Sequence, residues 1–225
     1  MTLTLTRSEK NLGGVYLLLQ VLLIPFAVTA LCMALGNPSE ALINLICFFS
    51  NALLALVFFR RLLVRSWRNA ARDWKKTMIV AVKGFGLYWA INFVITAAIL
   101  TLRPDFVNVN NAGVNAMIDE YPVLMTVAVI FLAPLAEECL FRGWIFTGLA
   151  HRSLPLAYGV SCGLFAAAHL VGYVGRYDGV SLLLCLLQYI GPSFVLCHTC
   201  RRADSLAAPL LLHMLINTLG CIFLR

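Results

Sequence analysis

The chain is divided into apolar stretches about as long as a helix needs to cross a lipid bilayer, and nothing else limits its fold so strongly. A hydrocarbon core of about 30 Å takes roughly 20 helical residues. Within it every backbone N–H and C=O must be paired inside the protein, which leaves few spanning architectures. The stretches run 12–35, 41–60, 78–102, 122–150, 154–174, 180–200 and 205–224. They predict an all-α polytopic bundle of about seven spans, within a range of six to eight, forming one integral membrane domain over 1–225. Composition agrees: 12% of residues are charged and 61% hydrophobic, whereas a soluble domain carries about 25% charged residues. The first stretch follows Arg7 and Lys10 much as in a signal peptide, but exceeds the roughly 7–15 apolar residues such a region contains. It reads as the first transmembrane helix.

The net charge of +7 does not point to nucleic acid, because the cations gather in short loops beside the apolar stretches, where they set topology. The densest group is Arg60, Arg61, Arg65, Arg68, Arg72, Lys75 and Lys76. Leu63, Trp67, Ala70 and Trp74 recur through it at helical spacing, so 61–77 reads as a basic amphipathic segment at the cytoplasmic headgroups or as a plain stop-transfer signal. A cytoplasmic N-terminus leaves only Arg103, Arg176 and Arg225 on the other side. Gly36-Asn37-Pro38-Ser39 reads as the first turn, and 103–121, with Asn108, Asn110, Asn111 and Gly113, as an acidic, turn-rich loop. No internal repeat or soluble domain is visible. The eight cysteines lie almost entirely in apolar segments, where thiols act as small hydrophobes. Cys197-His198-Thr199-Cys200 lacks a second half-site with zinc-ligand spacing.

Against this background Ala133–Trp144 stands out, because Glu137, Glu138 and Arg142 interrupt an apolar run. Ionisable side chains at the centre of a membrane helix cost roughly 2.5–3.5 kcal/mol each. Glu138 and Arg142 are four residues apart and share a helix face, with the acid N-terminal as the helix dipole prefers. Glu137 is turned about 100° away and left without a local partner, which suits a general base or acid. The alternative is a buried ion-pair network that only holds helices together. Two further polar sets argue for chemistry: Phe165 through His169 in the fifth stretch, and His213 through Asn217 in the last, where imidazole and carboxamide share a face. At 1.5 Å per residue, Glu137 falls near mid-span, His213 about 12 Å from the inner face and His169 about 21 Å from it.

Glu137-Glu138-x-x-x-Arg142, Phe165-x-x-x-His169 and His213-x-x-x-Asn217, in this order on three helices, resemble the CPBP family of CAAX-protease and bacteriocin-processing intramembrane proteases, which includes the type II CAAX prenyl endopeptidases. The motif stretch is 133–217; residues 1–120 contain no matching motif. The resemblance implies an intramembrane endopeptidase acting on a membrane-associated CAAX-like, leader or signalling peptide. It makes Glu137 the carboxylate that activates water, with His169 as its partner. His213 and Asn217 would stabilise the oxyanion, and Glu138, Arg142 and Phe165 would support them. No cofactor is favoured, although Glu137, His169 and His213 could form a two-His-one-carboxylate zinc set; the chain has no HExxH, and no second carboxylate is evident for either histidine. From other classes, a non-proteolytic scaffold or bacteriocin-immunity-type binding protein and a proton-coupled transporter are the rivals. The partners implied are the peptide substrate and the lipid bilayer, in the inner membrane if the source is bacterial. Oligomeric state is not legible. Lys83 reads as snorkelling, His151 as solvated, and Gln188-Tyr189 with Gly191-Pro192 as a kink without chemistry.

Overall fold

The computed structural model describes residues 3–36 and 39–223. Within them the chain is helical with no β-strand, only an isolated bridge between Val174 and Tyr177. Two of the predicted features, the Asn37-Pro38 pair of the first turn and the terminal Arg225, lie outside the described residues. Among the described residues nine helices follow one another, besides a 3-10 turn at Val171–Tyr173: α1 Arg7–Ala34, α2 Glu40–Phe58, α3 Arg60–Arg72, α4 Trp74–Leu102, α5 Val109–Glu120, α6 Pro122–Ala150, α7 Leu154–Ala168, α8 Gly179–Ala203 and α9 Ala207–Phe223. Of these, α1, α2, α4, α6 and α8 are long and apolar enough to cross a membrane, while α7 and α9 are shorter apolar helices. Large side chains such as Phe26, Phe93 and Val123 are exposed on them. Apolar faces of this kind on helices of that length fit a lipid surrounding. The protein is an all-α polytopic membrane bundle.

Local chemistry sets the helix ends. Thr6 and Glu9 form a capping box at the start of α1, and Ser39, Asp73, Asn108, Ser153 and Asp178 accept from the first turns of α2, α4, α5, α7 and α8. These short oxygens satisfy N–H groups that no helical carbonyl reaches. Two expectations change. The loop 103–121 holds a helix, because Asn108 accepts from both Asn110 and Asn111 and Val109 and Ile118 are buried; its asparagines cap and bond rather than turn. The fifth stretch does not continue to 174. It stops at Ala168, and Gly175 at φ +82° reverses the chain in a conformation that suits glycine.

One end of the bundle is basic and heavily cross-linked. Arg65 bonds Glu9 at 2.7 Å, Ser66 meets Ser205 at 3.0 Å, and Asn69 donates to the Asp204 carbonyl. The Asp204 carboxylate takes the Leu3 N–H. His151, expected to be merely solvated, has its Nε2 3.3 Å from the Leu3 carbonyl. Asp204 has φ 52°, a left-handed geometry that aspartate tolerates better than most residues, held here from both sides. The α8–α9 turn is thus sunk into the protein, with Ser205 and Leu206 fully buried, and α9 starts at depth. The opposite end is tied by Ser39 to Glu120 and by Arg103 to Asp178 and Ser181.

Candidate active site

Helix α6 is not uniformly α-helical. Its backbone widens to π geometry over Leu132's turn, Ala128–Leu132, and again over Glu138–Phe146. Such widenings release carbonyls and are frequent at functional sites. The Ala133 N–H bonds Ala128, which leaves the Val129 carbonyl without it, and Pro134 has no N–H to substitute. Asn217 of α9 donates its Nδ2 to that carbonyl at 2.8 Å. In the second segment, Ser161 of α7 donates to the Phe141 carbonyl at 2.9 Å and Thr147 to the Arg142 carbonyl at 2.8 Å. Side chains of α7, α9 and α6 itself therefore stabilise the distortion; Glu137 ends the short α-helical stretch between its two parts and Glu138 opens the second.

The predicted Glu138–Arg142 pair is present at 2.9 Å, both side chains essentially inaccessible. Arg142 also donates to the Ser193 hydroxyl at 2.9 Å and to the Ser193 carbonyl at 3.3 Å. Its guanidinium lies 4.4 Å from the centre of the Phe165 ring, within cation–π range. Ser193 was not singled out from the sequence, because nothing local marks one serine of α8 as facing an arginine of α6.

His213 differs most from the sequence reading. Its Nδ1 is 2.8 Å from Glu138 Oε1, and its Nε2 is 3.7 Å from Glu137 Oε2. The two adjacent carboxylates, expected to serve different neighbours, flank one imidazole. Glu138 is thus the carboxylate partner that no spacing rule suggested, and Glu137 is not isolated. An ionised carboxylate only accepts hydrogen bonds, so Nδ1 of His213 carries a proton. The His169 Nδ1 lies 2.8 Å from the Phe165 carbonyl and by the same logic is protonated, leaving Nε2 of the neutral ring as an acceptor.

Phe165 joins these groups. Its ring centre is 4.5 Å from that of His169, 5.9 Å from His213 and 5.2 Å from Phe141. Glu137 keeps 17% of its side chain accessible, against 1% for Glu138, so of the two acids it is the one a substrate or water can reach. Tyr189, read as part of a silent kink, instead stacks on His169 at 4.4 Å between ring centres. Its helix runs unbroken through Pro192.

As for the metal alternative, among the described residues no group of three or more His, Cys, Asp or Glu side chains is placed to hold a metal ion. That covers Glu137, His169 and His213 as well as the Cys197–Cys200 segment.

Fold and site together define a polytopic helical membrane protein in which buried Glu138, Arg142 and His213 adjoin an accessible Glu137 at the meeting of α6, α7, α8 and α9. Residues 119–219, which include every motif residue from Glu137 to Asn217, match the family described as Rce1-like, type II CAAX prenyl endopeptidase. A curated relative is the UPF0177 protein YxdF of Lactococcus lactis subsp. lactis strain IL1403, 23% identical over 169 residues, covering 74% of this chain and 89% of that protein. No solved structure matches the chain.

Proposed function

We propose that the protein is a metal-free intramembrane endopeptidase in which Glu137 is the general base. The observation that carries this reading is the division of labour between adjacent acids: Glu138 is enclosed by Arg142 and His213, while Glu137 remains accessible beside the same imidazole.

In the proposed reaction, Glu137 and the free Nε2 of His169 hold a water. As the water oxygen bonds to the peptide carbonyl carbon, its proton passes to Glu137. The carbonyl oxygen becomes an oxyanion facing His213 and Asn217. His213 can donate from Nε2 only as the doubly protonated ring, because Nδ1 is committed to Glu138. Asn217 spends one amide proton on Val129 and has a second for the oxyanion. Donors fixed before the charge develops are the most effective stabilisers in a site shielded from water. The tetrahedral intermediate then collapses, the C–N bond breaks, and Glu137 returns its proton to the departing amine.

The substrate is a membrane-associated peptide or protein, either CAAX-like or a leader or signalling precursor, and the N-terminus and the basic end face the cytoplasm. The test compares membrane-peptide termini between cells with the wild-type chain and cells with Glu137→Gln or His169→Ala. Loss of the same set of new termini in both variants is expected, with the protein present at normal levels. Termini identical to wild type in both variants would overturn the reading.

A further inference from the structure

The groups proposed for chemistry do not account for Tyr189, nor for the short helix α5. Tyr189 sits almost three turns into the body of α8, with its ring tilted only 23° from that of His169. His169 is thereby flanked by two aromatic rings, Phe165 and Tyr189, while the Phe165 carbonyl takes its Nδ1 proton. The Tyr189 hydroxyl, in turn, is surrounded by α5. Asn110 donates to it at 2.8 Å, it donates to Asn111 Oδ1 at 3.1 Å, and Asn108 Oδ1 lies at 3.5 Å. Asn108 also donates to Gln188 at 2.8 Å, the residue next to Tyr189 on α8.

Helix α5 is anchored on both sides. Val109 packs with Leu170 and Cys185, and Ile118 with Met125 and Ala128. Gly113 faces the Tyr173 hydroxyl so closely that a side chain there would collide with it. The helix therefore lies across the end of the bundle opposite the basic one, reaching from α8 to α6. It presents the three asparagines of its first turn, Asn108, Asn110 and Asn111, to a single phenol, which is more polar anchoring than packing alone requires.

We propose that Tyr189 is the positioning residue for His169, and that the asparagines of α5 hold it in register so that His169 Nε2 points at the water beside Glu137. The inference rests on the hydrolase reading for its consequence, but not for its geometry. A ring fixed in plane by two aromatic neighbours and in rotation by a carbonyl has a single tautomer and a single direction for its lone pair. Removing one neighbour leaves it free to tilt. Misplacing a reacting group by about 1 Å is enough to cost on the order of 100-fold in rate.

The first measurement needs no substrate. In the full chain reconstituted in phosphatidylcholine bilayers with 15N-labelled histidine, the His169 signals are assigned by their loss in His169→Ala. The wild-type ring is expected as one neutral species, protonated at Nδ1 and bare at Nε2. Tyr189→Leu is expected to give a second population with the proton on Nε2, and Tyr189→Phe to keep a single species. An unchanged His169 spectrum in Tyr189→Leu overturns the proposal, whatever the chain hydrolyses. The second measurement follows cleavage of a peptide spanning a terminus found in the comparison above. Tyr189→Leu should lower kcat by on the order of 10- to 100-fold with KM within about twofold of wild type. Tyr189→Phe, which keeps the ring and loses only its anchor, should cost about fivefold. Equal losses in the two variants, accompanied by equal falls in melting temperature, would mean a structural role only and also overturn the proposal. Failure of the hydrolase reading shows separately, as unaltered termini in Glu137→Gln.

Discussion

Arg142 is fully buried among Glu138, Ser193 and the Phe165 ring, so its charge is answered entirely inside the protein. Removing one member of such a pair leaves the other ionised and unpaired, which costs about 3–5 kcal/mol. Arg142→Met is accordingly expected to lower the melting temperature strongly in detergent, whereas Glu137→Gln, at the accessible acid, should leave it near wild type while abolishing turnover. Melting curves that move equally for the two variants would contradict this asymmetry. Glu138→Gln should do both kinds of damage. It weakens the hold on Arg142, and it replaces the charged acceptor of Nδ1–H of His213 by a weaker neutral one, so turnover should fall roughly 100-fold in addition to a lower melting temperature. The sequence made the first half of this legible, because four-residue spacing on one helix face is a local fact. It did not reveal that His213 sits between Glu137 and Glu138, since that depends on how α9 approaches α6.

At the scale of elements, α6 is positioned by contacts that tolerate little change. The Trp144 indole donates to the Lys10 carbonyl at 2.9 Å, and any Cβ on Gly13 would fall within the same indole. Gly13→Val should therefore force α1 away from α6 at a cost of about 1–3 kcal/mol. The check is melting temperature together with protease sensitivity near Arg7, and an unchanged value for both would argue that α1 is only loosely seated. The two π segments of α6 have a similar dependence on neighbours. Carbonyls along them accept from Asn217, Ser161 and Thr147, so Ser161→Ala should destabilise by about 0.5–1.5 kcal/mol, the net worth of one hydrogen bond. Apolar periodicity predicted α6 over 122–150, and the boundaries agree; the widened turns were not legible, because their stabilising donors come from α7 and α9 as well as from α6 itself. The same limitation applies to α5. Its asparagines are turn formers by propensity, yet tertiary contacts give them capping and anchoring duties in a helix.

At the scale of the whole molecule, the polar connections concentrate at the two ends of an otherwise apolar bundle. The basic end collects α3, the α8–α9 turn and the segment before α1. Interfacial cations beside short loops favour the cytoplasmic side, which is the orientation proposed for that end. An epitope inserted at Arg152 should thus be labelled only after the membrane is permeabilised, and one inserted at Arg176 in intact cells; the reverse pattern would invert the orientation. The exposed side chains of α3, Trp67 among them at 44%, fit a helix at the headgroup level, and 61–77 is proposed to have that place.

The sequence by itself determined the membrane class, the all-helical architecture, the order of the apolar helices and the Glu138–Arg142 pair. Those follow from hydropathy, the length needed to cross a bilayer and the 3.6-residue helical period, all of which act locally along the chain. Only the tertiary structure decided that Glu137 and Glu138 flank the same imidazole, that Phe165 gathers both histidines and Arg142, and that Tyr189 with three asparagines of α5 lies against His169. These depend on the depth and approach of one helix against another. A sunken α8–α9 turn, a pair of π widenings and one cross-lying helix set them, and no periodicity within a single segment encodes a distance between two segments.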